Sequence, residues 1–186
     1  MATIGDNVAV IDHDDDFIRA GRANPERDPS IITPTLVRHT GRGGGGDVGD
    51  IDPAAILRAI VNRRVEDWDQ LEAIYHHILY RQMAWIEGDE GAALITEPLF
   101  TSRADRERLT QIMFESFNVS GLYVAEQPVM ALYAVGKVTG VAVDVGYSTT
   151  DITPVFEGSV VTPATQRYDV GSRDVSEVLG CMLRGG

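Results

Sequence analysis

The sequence has one cysteine, no long apolar run and few basic residues. The lone cysteine, Cys181, has no partner for an internal disulfide, which favours a reducing compartment. No stretch approaches the roughly 18 consecutive apolar residues of a membrane helix. Asp6 stands where a signal peptide would be basic and then apolar. We therefore expect neither a membrane span nor export.

Basic residues are outnumbered, with 16 Lys plus Arg against 28 Asp plus Glu, a net charge of -12 and a pI near 4.6. This charge repels nucleic-acid phosphates and anionic lipid surfaces, so we expect no direct nucleic-acid or membrane partner. The 186 residues are 44% apolar and 24% charged, a composition typical of a globular chain with a buried core.

Hydrophobic patterning predicts a mixed α/β chain. Helices are predicted from the caps Asp67 and Ser102, from about Pro128, and from about Ser172 to Leu183. The predicted strands cover 8–11, 17–20, 31–37, 92–96, 121–125, 140–146, 151–158 and 159–168. A strand meander followed by a helix thus occurs at both ends of the chain. Each copy opens with an apolar strand that ends in an aspartate, and facing copies would direct both carboxylates into one cleft.

Several polar segments leave alternatives open on composition alone. The glycine run 43–46 has neither the strand nor the Lys-Ser helix of a phosphate loop and is typical of a flexible linker. The acidic segment 12–16 either collects a divalent cation or stays solvated. An apolar strand ending in Asp-x-Asp also matches the opening motif of a phosphohydrolase, with Asp12 as nucleophile and Asp14 as acid. The turn 144–151 either binds phosphate and metal or is an ordinary hairpin turn.

A family resemblance adds to these patterns. Four collinear stretches together resemble the N-terminal half of actin: 7–38, 66–80, 94–136 and 140–158. Three shorter strings are similar to the plant-type nuclear class seven of actin-related proteins: WIEGDEG (85–91), FNVSG (117–121) and LYAVG (132–136). The chain is therefore identified as a member of the actin superfamily.

The resemblance implies an actin-like ATPase fold, which is ribonuclease-H-like, with one complete N-terminal half and the start of the second. It divides the chain into 1–38 with 59–136 as subdomain 1, 39–58 as a shortened glycine-rich remnant of subdomain 2, and 137–186 as the start of the second half. Family members are longer, so we expect either a truncated product or a partner that supplies the rest of the cleft.

The resemblance also implies a nucleotide site. Asp12 and Asp144 match the aspartates that hold the cation through water, Gln127 matches the glutamine that positions the attacking water, and Arg19 stands at a phosphate-contacting lysine. The implied nucleotide-contacting positions are Asp12, Asp14, Asp15, Arg19, Asp144, Gly146, Tyr147, Ser148 and Thr149.

The chain departs from the actin pattern inside this site. The acids 14–16 replace a Gly-Ser-Gly turn, Tyr147 and Ser148 replace an Asp-Gly pair, and Asp151 replaces a histidine near the catalytic water. Three carboxylates beside a triphosphate are repulsive. We therefore expect weak binding of ATP with Mg²⁺ or Ca²⁺, and little or no hydrolysis.

These features together favour a non-polymerising nuclear scaffold in an ATP-dependent chromatin-remodelling complex. The glycine-rich segment 41–50 replaces the filament-forming loop, so we expect no filaments. The expected partners are a helix of the motor subunit and another actin-related protein, in the nucleus and also the cytoplasm. A cytoskeletal actin-like ATP-binding protein is the alternative, and the Asp-x-Asp phosphohydrolase is a further one.

Overall fold

The computed structural model describes residues 7–24, 28–38 and 56–185. The predicted glycine-rich remnant at 39–58 lies outside the described residues except at 56–58. The strands in chain order are β1 (Val8–His13), β2 (Phe17–Arg22), β3 (Ile31–Pro34), β4 (Leu36–Arg38), β5 (Ile56–Arg58), β6 (Ile60–Val61), β7 (Arg64–Val65), β8 (Ala92–Glu97), β9 (Gly121–Glu126), β10 (Gly140–Val145), β11 (Thr150–Phe156), β12 (Ser159–Val160) and β13 (Gln166–Tyr168). The α-helices are α1 (Trp68–His76), α2 (Arg103–Glu115), α3 (Gln127–Ala134) and α4 (Ser172–Arg184).

The larger sheet has five strands in the order β3-β2-β1-β8-β9. Its first three strands form an antiparallel meander, whereas β8 and β9 run parallel to β1. The β1–β2 register places Asp12 opposite Arg19. Helix α2 connects β8 to β9, as a parallel pair requires. This mixed sheet is the predicted α/β arrangement of an N-terminal actin-like portion.

The two predicted helix caps are confirmed. The Asp67 carboxylate accepts a hydrogen bond from the Gln70 amide at 3.0 Å, which begins α1. Helix α1 continues as a π-helical segment, His77–Gln82. The Ser102 hydroxyl accepts from the Asp105 amide at 3.1 Å and begins α2. Both helices therefore start where a side-chain oxygen can satisfy an unpaired backbone N–H.

The main core lies between the larger sheet and the helices α1 and α2. Fully buried members from the sheet, α1, the π-helical segment and α2 include Ile11, Ile95, Leu71, Ile78 and Met113. A smaller cluster is made by Val129, Leu132 and Val155, which join α3 to the second sheet. Helix α3 contacts strands of both sheets and connects them.

The second sheet has the order β10-β11-β12, and β13 pairs with the other end of β11. The predicted continuous strand 159–168 is wrong in its middle, because a 3₁₀ turn, Thr162–Ala164, interrupts it. This turn contains Pro163, which has no N–H to donate to a strand ladder. The predicted strand 31–37 is also interrupted: β3 pairs with β2, whereas β4 pairs with β5.

The second sheet leaves apolar side chains uncovered. Val141, Val143 and Val145 of β10 are each about three-fifths exposed. Helix α4 covers the predicted 172–183 but buries none of its residues. Its exposed apolar side chains are Val175, Val178, Leu179, Met182 and Leu183. The division of the chain into actin-type subdomains stays a prediction.

None of the helices within the described residues combines the length and the apolar character needed to cross a membrane.

Candidate functional site

The two strand-end aspartates face one cavity although they belong to different sheets. Asp12 lies in β1, Asp144 lies in β10, and both line the cavity together with Asp14, Arg19 and Gln127. The sequence pattern predicted such a shared cleft, and the geometry brings these five side chains to it. Of the remaining predicted residues, Asp15 lies in the loop after β1, 146–149 form the loop after β10, and Asp151 lies in β11.

Asp12 is held by three neighbours. Its Oδ1 accepts from the Thr96 hydroxyl at 2.5 Å and from Nε2 of Gln127 at 3.0 Å. Its Oδ2 lies 3.6 Å from Nη1 of Arg19. Nε2 of Gln127 also donates to the His13 carbonyl at 3.0 Å. The glutamine predicted to position a water is therefore fixed by its amide nitrogen to the end of β1.

Arg63 crosses the space beside Asp144, and sequence reasoning did not identify it. Its Nη2 donates to Asp144 Oδ2 at 2.5 Å, and its Nη1 donates to Gln127 Oε1 at 3.3 Å. Nη1 also lies 3.6 Å from Asp151 Oδ2. The Arg63 side chain is 4% exposed. Burial alone would lower its pKa, but the neighbouring carboxylates, Asp144 foremost, raise the pKa overall and keep the guanidinium charged.

The acidic loop after β1 is folded inward. Asp15 is buried, and its carboxylate accepts from the Arg63 amide at 2.6 Å and from the Ser148 hydroxyl. Asp14 accepts from the Asp15 amide at 2.8 Å, and burial raises the pKa of Asp14. Asp15 and Ser148, both predicted to contact the nucleotide, thus bond to each other and join the two loops.

The loop after β10 is shaped by close approach and by stacking. The Gly146 amide donates to the Thr149 carbonyl at 2.9 Å, and a Cβ on Gly146 would lie 2.5 Å from Nη2 of Arg63. The guanidinium groups of Arg58 and Arg173 lie over the Tyr147 ring, at 5.1 and 5.8 Å from its centroid. The Thr149 hydroxyl is buried without a hydrogen-bond partner among the described residues.

Asp151, which replaces the family histidine, is a buried ion-paired carboxylate. Nε and Nη2 of Arg167 each donate to it at 2.7 Å, in the bidentate geometry that suits arginine and carboxylate. Its side chain is 2% exposed, and Nη1 of Arg63 also lies 3.6 Å from its Oδ2. The carboxylate is therefore held by two guanidinium groups and does not point freely into the cavity.

A nucleotide-bound divalent cation does not fit this arrangement of residues. The cation would need the carboxylates of Asp12 and Asp144 to face its water shell, but the Arg63 guanidinium already contacts Asp144. A second cation close to this charge would be repelled. Within 7–24, 28–38 and 56–185, no cluster of three or more His, Cys, Asp or Glu side chains is placed to hold a metal ion.

Fold and cleft together define a class: an actin-like α/β chain in which two sheets meet at an acid-lined cavity. The protein-family model described as actin matches residues 5–186. The chain belongs to the actin family, and the resemblance read from the sequence is confirmed. The alternative of an Asp-x-Asp phosphohydrolase is not retained, because the motif at Asp12 and Asp14 belongs to the actin-family first strand and loop.

Comparison with curated proteins finds actin-related proteins of plants. Actin-related protein 7 of Oryza sativa subsp. indica is 41% identical over 178 residues, which cover 94% of this chain and 48% of that protein. Actin-related protein 7 of Arabidopsis thaliana is 37% identical over 172 residues, 91% of this chain and 47% of that protein. The chain thus spans about half the length of the curated relatives it matches. Its sequence identity to them makes it an actin-related protein.

Proposed function

We propose that the protein is a non-polymerising actin-related scaffold subunit of an ATP-dependent chromatin-remodelling complex in the nucleus, present also in the cytoplasm. One observation carries the proposal: Arg63 pairs with Asp144 and Gln127, two of the residues on which an actin-type hydrolysis site depends. A fold whose cleft is bridged internally suits assembly better than ATP turnover. Any binding of ATP with Mg²⁺ or Ca²⁺ is then weak and hydrolysis slow or absent.

Charge and kinship support this role. The net charge of -12 favours contact with basic protein partners and disfavours direct contact with DNA. The plant relatives bear the name actin-related protein 7, and the same class was indicated by the strings at 85–91, 117–121 and 132–136. The proposed partners are a helix of the remodelling motor subunit and a second actin-related protein.

A partner helix needs exposed apolar side chains on its docking surface. The C-terminal end of α3 and the turn after it offer Tyr133, Val135 and Val138, which are 46%, 67% and 58% exposed. Because α3 contacts both sheets, a partner bound here would be held by the element that connects them.

Capture from nuclear extract tests the proposal. The tagged full chain should co-purify with a remodelling motor subunit, and Val135→Asp should reduce the recovery at least fivefold. Ile86→Asp is the matched control, since Ile86 is equally exposed at 68% but lies in the loop before β8. Absence of motor subunits from the wild-type capture would contradict the scaffold proposal. Equal loss of motor subunits in both variants would contradict the docking surface at the end of α3.

The cytoskeletal alternative keeps one observation in its favour: Asp12, Gln127 and Asp144 still line one cavity. It predicts that the purified chain pellets with actin filaments and that nucleotide changes the pelleted fraction. The scaffold proposal predicts that the chain stays in the supernatant with or without ATP. It also predicts phosphate release no faster than in a protein-free control.

A further inference from the structure

We infer that Arg63 is a built-in counter-cation, which takes the place beside Asp144 that a nucleotide-bound divalent cation would need and joins the loop after β1 to the second sheet without a ligand. The inference goes beyond the scaffold role, because it describes what holds the cleft whichever partner the protein meets. Three independent features of the structure support it: the backbone at Arg63, the glycine beside it, and the acids around its guanidinium.

The backbone at Arg63 is unusual for an arginine. Asn62 and Arg63 form the two-residue turn between β6 and β7, with φ of +49° and +61°. A turn with positive φ at both central residues favours Asn followed by Gly. Asn62 fits this rule and Arg63 does not. A left-handed backbone conformation is costly for a residue other than glycine. Its presence at Arg63 therefore points to a role for the arginine side chain.

Two neighbours accommodate Arg63, although its buried Nε has no hydrogen-bond partner among the described residues. Gly146 leaves room for it, because a Cβ at that position would lie 2.5 Å from Nη2. The Arg63 amide is fixed separately, by the Asp15 carboxylate at 2.6 Å. The backbone of Arg63 is therefore held by Asp15, and the absence of a side chain at Gly146 leaves space for its guanidinium.

The charges around Arg63 come from the second sheet. Asp144 in β10 contacts Nη2 at 2.5 Å, and Asp151 in β11 lies 3.6 Å from Nη1. Arg63 itself leaves the β6–β7 turn, which lies before α1 in the chain. One buried cation thus offsets the charges of Asp144 and Asp151, which face each other on neighbouring strands. A divalent ion would have to displace it or share the position with it.

The variant Arg63→Gly distinguishes a role of Arg63 in the turn from a role of its positive charge. Glycine suits the turn better than arginine, so a residue that served only the turn would give an equally or more stable variant. Loss of the counter-cation leaves Asp144 without its ion-pair partner and Asp151 with Arg167 alone, and we expect Tm to fall by about 2–4 °C. The measurement is thermal unfolding of the full chain followed by circular dichroism.

Divalent ions give a second readout that a purely structural role would not move. With Asp144 freed, saturating MgCl₂ or CaCl₂ should raise the Tm of Arg63→Gly by about 3 °C. The same salts should move the wild-type Tm by less than about 1 °C. NaCl at matched ionic strength is the salt control. Arg64→Gly is the matched variant control, because Arg64 is the exposed neighbour, and it should show no divalent response.

Asp144→Asn keeps the inference testable if Arg63→Gly does not fold. The Asp144 side chain is 51% exposed, so its neutralisation should leave the fold intact while uncovering the buried guanidinium. We expect a lower Tm and no divalent response. The inference is overturned if Arg63→Gly matches or exceeds the wild-type Tm, if divalent ions stabilise both proteins equally, or if Asp144→Asn leaves Tm unchanged.

Discussion

Asp15→Ala should destabilise the fold far more than a substitution at a more exposed residue of the same loop, because the Asp15 carboxylate connects the two loops of the cleft. It accepts the Arg63 amide at 2.6 Å and the Ser148 hydroxyl, and its residue is 2% exposed. Hydrogen bonds to a charged group contribute about 1.5–3 kcal/mol each. Release of a buried carboxylate from desolvation offsets part of that sum. We expect a net loss of about 3 kcal/mol in the free energy of unfolding.

The assay is urea unfolding followed by the fluorescence of the two tryptophans, Trp68 and Trp85. A loss of about 3 kcal/mol corresponds to a fall of about 6–12 °C in Tm for a chain of this length. Asp16→Ala is the control, since Asp16 pairs with Arg58 at 3.2 Å with both side chains about one-third exposed. Such a pair contributes at most about 1 kcal/mol. Equal effects of the two substitutions would refute the internal role of Asp15.

Three further outcomes follow from other contacts. Burial lowers the pKa of His13, so the unfolded chain takes up its proton first as pH falls below 6.5, and stability is lost there. The slope of unfolding free energy against pH between 7.5 and 5.5 should be smaller in His13→Gln, and an unchanged slope would contradict this. Ser102→Ala removes the cap of α2 and should cost about 1 kcal/mol in urea unfolding. Gly171→Ala would place a Cβ against the Tyr147 carbonyl oxygen, and its Tm should fall, whereas no change would show that this backbone contact is loose.

Local signals in the sequence were sufficient for the helices and most strands. The caps Asp67 and Ser102 begin α1 and α2 because a side-chain oxygen three residues before a free amide is encoded within a few positions. The short segments 140–146 and 151–158, separated by tight turns, likewise predicted β10 and β11. The shared cleft of Asp12 and Asp144 followed from the repeated strand-end acids.

Contacts between distant segments were not predictable in this way. Arg63 meets Asp144 across 81 positions, and Asp15 meets Ser148 across 133. Neither pair has a spacing that local patterning encodes. The only local signal at Arg63 was Asn62, whose preference for a tight turn says nothing of where the next side chain points. Asp15 was predicted to contact the nucleotide. Its hydrogen bond with Ser148 depends on how the two sheets meet, which local sequence does not show.

The valine-rich strand β10 has one further consequence. Among the described residues, β10 pairs with β11 alone, so the N–H and C=O groups along its other margin are open to a further strand. This edge strand also carries the exposed side chains of Val141, Val143 and Val145. An exposed apolar edge strand favours pairing with another chain. Two copies paired edge to edge there would form one continuous sheet, so the purified chain should dimerise as its concentration rises unless another polypeptide segment lies along this strand.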